Sequence, residues 1–231
     1  MTLVLLPGMD GTGTLFEPFI GALGPGFTVN VVRYPTAEPL CYAELEALAR
    51  AALPAEGPFV ILGESFSGPI AISLAASCSS QLKGLVLCCT FVQNPRPLFF
   101  GLQPLAGLLP VTMVPIGVLS HMLFGRYSTA ALRSALALAL AQVSPAVLRA
   151  RLRAVLTVNA SAKLTALKVP SLYLRASQDQ VVPHRASQLV SQLSPRTRVV
   201  EIEGPHCLLQ ASPLAAARVI GAFVHETLNA L

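Results

Sequence analysis

The sequence predicts an α/β protein: a mostly parallel sheet of about six strands flanked by helices, with a helical cap inserted between two of the strands. Three observations carry this reading. Short apolar runs alternate with segments of helical periodicity over residues 1–92 and again over 169–231. Alternation of this kind buries a parallel sheet between two helical layers. Residues 93–168 break the alternation and contain helix-like segments only. The 231-residue chain is 53% hydrophobic, enough to bury a large core.

The elements follow in order. Residues 3–6 form an apolar strand, succeeded by a glycine-rich loop at 7–13 and a helix near 15–23. Residues 27–33 form a strand, and 42–53 repeat Leu45, Leu48, Ala49 and Ala52 at helical spacing. Residues 59–62 are a buried strand that leads through a tight turn into a helix from Pro69, and 82–90 are another strand. After the insertion come a strand at 170–175, a helix at 184–193, a strand at 198–202 and a helix at 213–228. Pro213 suits that helix's first turn. Within the insertion, residues 130–140 and 146–156 are rich in Ala, Leu and Arg, and Ser144-Pro145 opens the second of these helices. Function in such sheets gathers at the carboxyl ends of the strands.

Composition narrows the classes. The apolar region 98–124 is broken by Pro104, Pro110 and Pro115, so no membrane span is expected there. No charged segment precedes residues 3–6, and that run is too short for a signal peptide. The five cysteines lack metal-ligand spacing, Cys88 and Cys89 fall in an apolar run, and a cytoplasmic setting is expected. The net charge of +5 is uneven, because no acidic residue occurs between Glu64 and Asp179. This basic stretch is either a solvated face or a docking surface for an anionic acyl carrier or lipid. Arg149, Arg151 and Arg153 are the expected docking group; Arg149 and Arg153 share a helix face and Arg151 points elsewhere. No nucleic-acid-binding motif accompanies these arginines.

The motif Gly63-Glu64-Ser65-Phe66-Ser67-Gly68 lies between a strand and a helix. A serine at such a sharp turn is exposed as a nucleophile, and its flanking residues must be small. The plainer alternative is an ordinary strand–helix turn with a polar cap. An activated serine needs a base, and the base an orienting carboxylate. Among four histidines, His206 follows the last strand, whereas His184 opens a helix, His225 lies in the terminal helix and His121 in the insertion. Asp179 lies on the loop after the preceding strand; Asp10 comes too early in the chain, and Glu203 is the next candidate. The alternative roles are structural hydrogen bonds for His206 and an Asx-turn for Asp179. The amides of Phe66 and Met9 are the expected oxyanion donors. The loop at 7–13 lacks the Gly-Lys-Ser/Thr ending of a phosphate loop.

With Ser65, Asp179 and His206 in this order, the chain resembles an α/β-hydrolase with a serine nucleophile. The resemblance spans essentially all of it, core better than cap, and begins at the family's third strand. Pro7-Gly8 stands where that family commonly has His-Gly. The layout is similar to pimeloyl-[acyl-carrier protein] methyl ester esterases, small bacterial carboxylesterases with cap arginines. The Pro-Gly-Met-Asp-Gly-Thr-Gly loop is similar to that of plant phytyl ester synthases, which are acyltransferases. The resemblance implies hydrolysis of a small-molecule ester of a short to medium apolar acyl chain through an acyl-enzyme, with neither cofactor nor metal. Thioesterase, acyltransferase and a non-catalytic binding protein are the alternatives. Leu98, Phe99, Met122 and Phe124 are the expected lining of the acyl pocket, against packing of the cap on itself. Oligomeric state is left open.

Overall fold

Six strands and ten helices follow one another along the described part of the chain: β1 (Thr2–Leu6), α1 (Glu17–Leu23), β2 (Thr28–Val31), α2 (Tyr42–Ala51), β3 (Phe59–Glu64), α3 (Gly68–Ser77), β4 (Leu82–Cys88), α4 (Ile116–Phe124), α5 (Ala130–Ala141), α6 (Pro145–Thr157), α7 (Ser161–Thr165), β5 (Ser171–Gln178), α8 (Arg185–Leu193), β6 (Arg198–Pro205), α9 (Leu208–Ala211) and α10 (Pro213–Asn229). The computed structural model describes residues 1–77, 80–97 and 114–229. Leu98 and Phe99, expected in the acyl pocket, lie outside the described residues.

The strands form one sheet in the order β2-β1-β3-β4-β5-β6, every pair parallel. Side chains alternate between its faces with the period of two that a strand imposes. Val4, Leu6, Ile61, Leu85, Leu87 and Tyr173 face a core completed by α2, α3, α7 and α8. Leu3, Leu5, Val60, Leu62, Val86 and Leu174 face the other, completed by α1, α9 and α10. Because both faces are covered, the inner strands β1 and β3 read as nearly unbroken apolar runs, whereas the edge strands β2 and β6 carry polar residues. β5 and β6 extend further than the sequence predicts, to Gln178 and Pro205, because they keep pairing past an irregularity between Ala176 and Gln178.

β2 and β3 lie on opposite sides of β1, so the chain reverses direction across the sheet there. A reversal of this kind opens a crevice at the strands' carboxyl ends. The loop after β1 and the turn after β3 meet in that crevice. Helices α4 to α7 occupy the chain between β4 and β5, and a bridge between Gln93 and Asn159 ties the two ends of that stretch together. Helices α5 and α6 meet at 99°. No single described helix is long and apolar enough to cross a membrane.

Candidate active site

The turn after β3 places Ser65 at φ 47°, a left-handed conformation that strains a non-glycine residue by about 1–3 kcal/mol. Its surroundings hold it there. The Thr90 hydroxyl donates to the Ser65 carbonyl, and Tyr173 Oη donates to the Thr90 carbonyl at 2.6 Å. A Cβ on Gly63 would stand 2.6 Å from Ala71 Cβ, and one on Gly68 would collide with Thr90. Gly68 therefore has the obligatory smallness, which leaves Ser67 free to carry a hydroxyl. Ser67 donates to the Pro7 carbonyl and shares a 2.8 Å hydrogen bond with Tyr34 Oη, tying the turn to the loop after β1. Tyr42 Oη donates to the Phe66 carbonyl at 2.9 Å, and the Tyr42 and Phe66 rings stack at 4.7 Å. Burial raises the Tyr34 and Tyr42 phenols, so both stay neutral donors.

Three residues distant in sequence form one hydrogen-bonded line. Asp179, on the turn after β5, is fixed by the amides of Val181 and Val182, each donating to Oδ1 at 2.8 Å. Its carboxylate accepts from His206 Nδ1 at 2.9 Å on both oxygens. A carboxylate here can only accept, so the proton sits on Nδ1 and Nε2 is left to accept from Ser65 Oγ at 2.8 Å. The side chains of His206 and Asp179 are almost entirely buried. The other carboxylates weighed from sequence are engaged elsewhere. Asp10 Oδ2 accepts from the amide and hydroxyl of Thr12, and Glu203 pairs with Arg126 at the surface.

The loop after β1 is clamped from the helical side. Arg151 on α6 is 1% exposed, and its guanidinium donates to the carbonyls of Met9, Asp10 and Pro35 at 2.8–2.9 Å. It also lies 5.7 Å from the centre of the Tyr34 ring. Gly11, at φ 71°, is required because a Cβ there would meet that guanidinium at 2.5 Å. Burial pulls Arg151 below its ordinary pKa, with Asp10 and Tyr34 opposing. The Met9 amide donates no hydrogen bond among the described residues. Arg151 is thus removed from the expected surface docking group: α6 turns it inward while Arg153 stays exposed.

A cavity of about 530 Å³ opens beside Ser65, Met9 and His206. Its helical wall is apolar and includes three leucine pairs at i,i+4 spacing: Leu119 and Leu123 on α4, Leu136 and Leu140 on α5, Leu148 and Leu152 on α6. The spacing puts each pair on one helix face. Met122 and Phe124 are not part of that wall. One residue from Leu123 is a rotation of about 100°, which turns Met122 outward, 42% exposed, and buries Phe124 against Leu15, Leu136 and Ala139 behind the wall. Glu64 and Gln210 also line the cavity. Burial pushes the Glu64 carboxyl up to about 7, with Gln210 opposing and Asp10 adding to the rise. Among the described residues, no His, Cys, Asp and Glu side chains are grouped to hold a metal ion.

Comparison with known proteins agrees with this architecture. Phytyl ester synthase 1 of the chloroplast of Arabidopsis thaliana is 35% identical over 121 residues, 49% of this chain and 16% of that protein. The match thus spans about a sixth of that relative's length. The bromoperoxidase of Bacillus anthracis superposes with a TM-score of 0.83 at 15% identity, covering 97% of this chain and 91% of that one. An esterase of Exiguobacterium antarcticum gives 0.81 at 16% identity, covering 97% and 92%. These two likenesses speak to the fold. The model of the alpha/beta hydrolase family matches residues 3–219, and the chain belongs to that family.

Proposed function

We propose that this chain is a serine hydrolase cleaving carboxylic esters of short to medium apolar acyl chains. The observation that carries the reading is the line Ser65–His206–Asp179 ending at a leucine-walled cavity. Ser65 Oγ attacks the ester carbonyl carbon as His206 Nε2 takes its proton, and Asp179 stabilises the imidazolium that results. The amides of Met9 and Phe66 receive the negative oxygen of the tetrahedral intermediate. Collapse expels the alcohol, protonated by His206, and leaves the acyl group on Ser65. Water, deprotonated by His206, then attacks the acyl-enzyme, and the acid departs as Ser65 recovers its proton. Residues 93–168 act as the cap that encloses the acyl chain.

Each methylene buried among the leucines contributes about 0.8 kcal/mol. The 4-nitrophenyl esters from acetate to octanoate are therefore expected to show kcat/KM rising about fifteenfold per two carbons until the cavity is full. Ser65→Ala should lose at least about 10³-fold in kcat and all fluorophosphonate labelling, with an unchanged melting profile. Wild-type protein that neither labels nor turns over any ester would sink the proposal in favour of a binding role. The 35% match to a protein named for phytyl ester synthesis favours one second reading, transfer of the acyl group to an alcohol. Ester formation from an added long-chain alcohol, measured against acid release, separates transfer from hydrolysis.

A further inference from the structure

One side of the cavity carries polar groups that acyl transfer at Ser65 leaves unused. Glu64 precedes Ser65 and Gln210 lies on α9 just after His206; they are 6% and 4% exposed. Gln210 Nε2 donates to Glu64 Oε1 at 3.0 Å, while Gln210 Oε1 is buried with no hydrogen-bond partner among the described residues. A buried carbonyl oxygen without a donor is destabilising, because it has lost its bonds to water and gained none in return. Glu64 Oε2 faces the loop after β1, 3.8 Å from where a Cβ on Gly8 would stand, and Asp10 Oδ1 is 3.7 Å from the same point. These groups gather beside Ser65 in a cavity whose opposite wall is leucine.

We infer that Glu64 and Gln210 form a second subsite that binds a hydroxyl of the substrate's alcohol part, so that polyol esters are preferred over esters of simple alkanols. The inference rests on reading the cavity as an ester-binding site. A hydroxyl meets both demands of the pair: it donates its one hydrogen to Gln210 Oε1 and accepts from the protonated Glu64 carboxyl. Burial raises its pKa to about 7, so that carboxyl keeps a proton to donate up to neutral pH. An ether or carbonyl oxygen has no hydrogen to donate and leaves Gln210 Oε1 unsatisfied. An anion is opposed by Glu64 and Asp10, and the nearby Arg151 guanidinium is already engaged by three backbone carbonyls. An ammonium group would donate, but burying its full charge beside a half-neutralised carboxyl is the costlier arrangement. With the acyl chain among the leucines and the carbonyl at Ser65, the alcohol part is what remains to reach the polar side.

Non-hydrolysable ethers keep the test separate from the hydrolase reading, since they bind whether or not Ser65 acylates. Dissociation constants of 1-O-hexylglycerol, hexyl propyl ether and 3-(hexyloxy)propylamine are measured by calorimetry on the wild-type chain and on Gln210→Met. The glycerol ether is expected to bind about tenfold more tightly than the propyl ether to wild type. In Gln210→Met the two should come within about twofold, the size of a hydrogen bond lost. Equal binding of the two by wild type, or none, overturns the subsite without any variant, so a misfolded Gln210→Met does not spare it. A preference retained in folded Gln210→Met, or tightest binding by the amine, overturns the hydroxyl assignment. Loss of fluorophosphonate labelling with the ether preference intact would remove the hydrolase reading and leave the subsite.

Discussion

The two walls of the cavity are built by opposite means. At the sheet end, the turn after β3 and the loop after β1 are held by directional contacts: Thr90 on the Ser65 carbonyl, Ser67 between Pro7 and Tyr34, Tyr42 on the Phe66 carbonyl. The helical wall is apolar, mainly three pairs of leucines, with no polar group to aim. Directional bonds fix atoms to fractions of an ångström, which proton transfer needs. Apolar packing is non-directional and tolerates changes of shape that conserve volume. The difference assigns chemistry to the sheet end and choice of acyl chain to the helices. Arg151 is the exception, a helical residue whose contacts all lie on the sheet side.

The largest expected break in that contrast comes from Asp179→Asn. The amide would hold His206 in the wrong tautomer, and kcat should fall on the order of 10³–10⁴-fold with little change in KM. Activity within tenfold of wild type would remove Asp179 from the site. Arg151→Met comes next, because it strips hydrogen bonds from three carbonyls and loosens the loop bearing the Met9 amide. A loss of about 3–5 kcal/mol in unfolding free energy is expected, together with a fall in kcat of roughly tenfold or more. Arg151→Lys should not rescue it, since one ammonium cannot span the fork. Normal melting with normal kcat in Arg151→Met would mean that the two walls are independent.

Glu64 supplies a gentler test of the polar side. Its folded pKa of about 7 stands above the ordinary 4.5. Between those values the folded state holds a proton that the unfolded chain has released. Stability therefore falls as pH rises through about 4.5 to 7 and levels off above, by roughly 3 kcal/mol. Glu64→Gln removes this contribution. The variant's melting temperature at pH 8, relative to pH 5, should exceed that of wild type by on the order of 5–10 °C. Parallel pH profiles for the two proteins would place the carboxyl in contact with water.

The strand–turn–helix around Ser65 and the two later loops were legible in sequence because each is a local pattern. An apolar run ends at a polar residue, and the sheet rule says which end matters. Gly63 and Gly68 carry the steric signal, which is why Ser67 could depart from the usual glycine. The contacts of Ser67, Tyr34, Arg151 and Gln210 were not legible, since each spans dozens of residues and depends on tertiary placement. In α4 nearly every position is apolar, so periodicity could not separate Leu119 and Leu123 from Met122 and Phe124. Arg151 read as one charge among several because a long side chain gives no sign of whether it points inward.

The smallest effect concerns its neighbours on α6. Arg149 and Arg153 stand one turn apart and make no ion pair among the described residues, whereas Arg50, Arg126, Arg175 and Arg198 each pair with a glutamate. Arg153 also borders a groove shared with Pro39, Leu40 and Tyr42. We propose that this pair steers an anionic acyl carrier or lipid headgroup toward the cavity. Steering acts through the association rate and is screened within about 10 Å at 0.1 M salt. The double variant Arg149→Glu, Arg153→Glu should raise KM severalfold for a coenzyme A thioester or an anionic micelle at low salt. At 0.5 M salt the difference should vanish, and a small neutral ester should respond by less than about twofold at either salt concentration. An equal response of neutral and anionic substrates, or indifference of both to salt, would reduce the two arginines to a solvated face. Arg151 would then be the one arginine of the three whose charge the site uses.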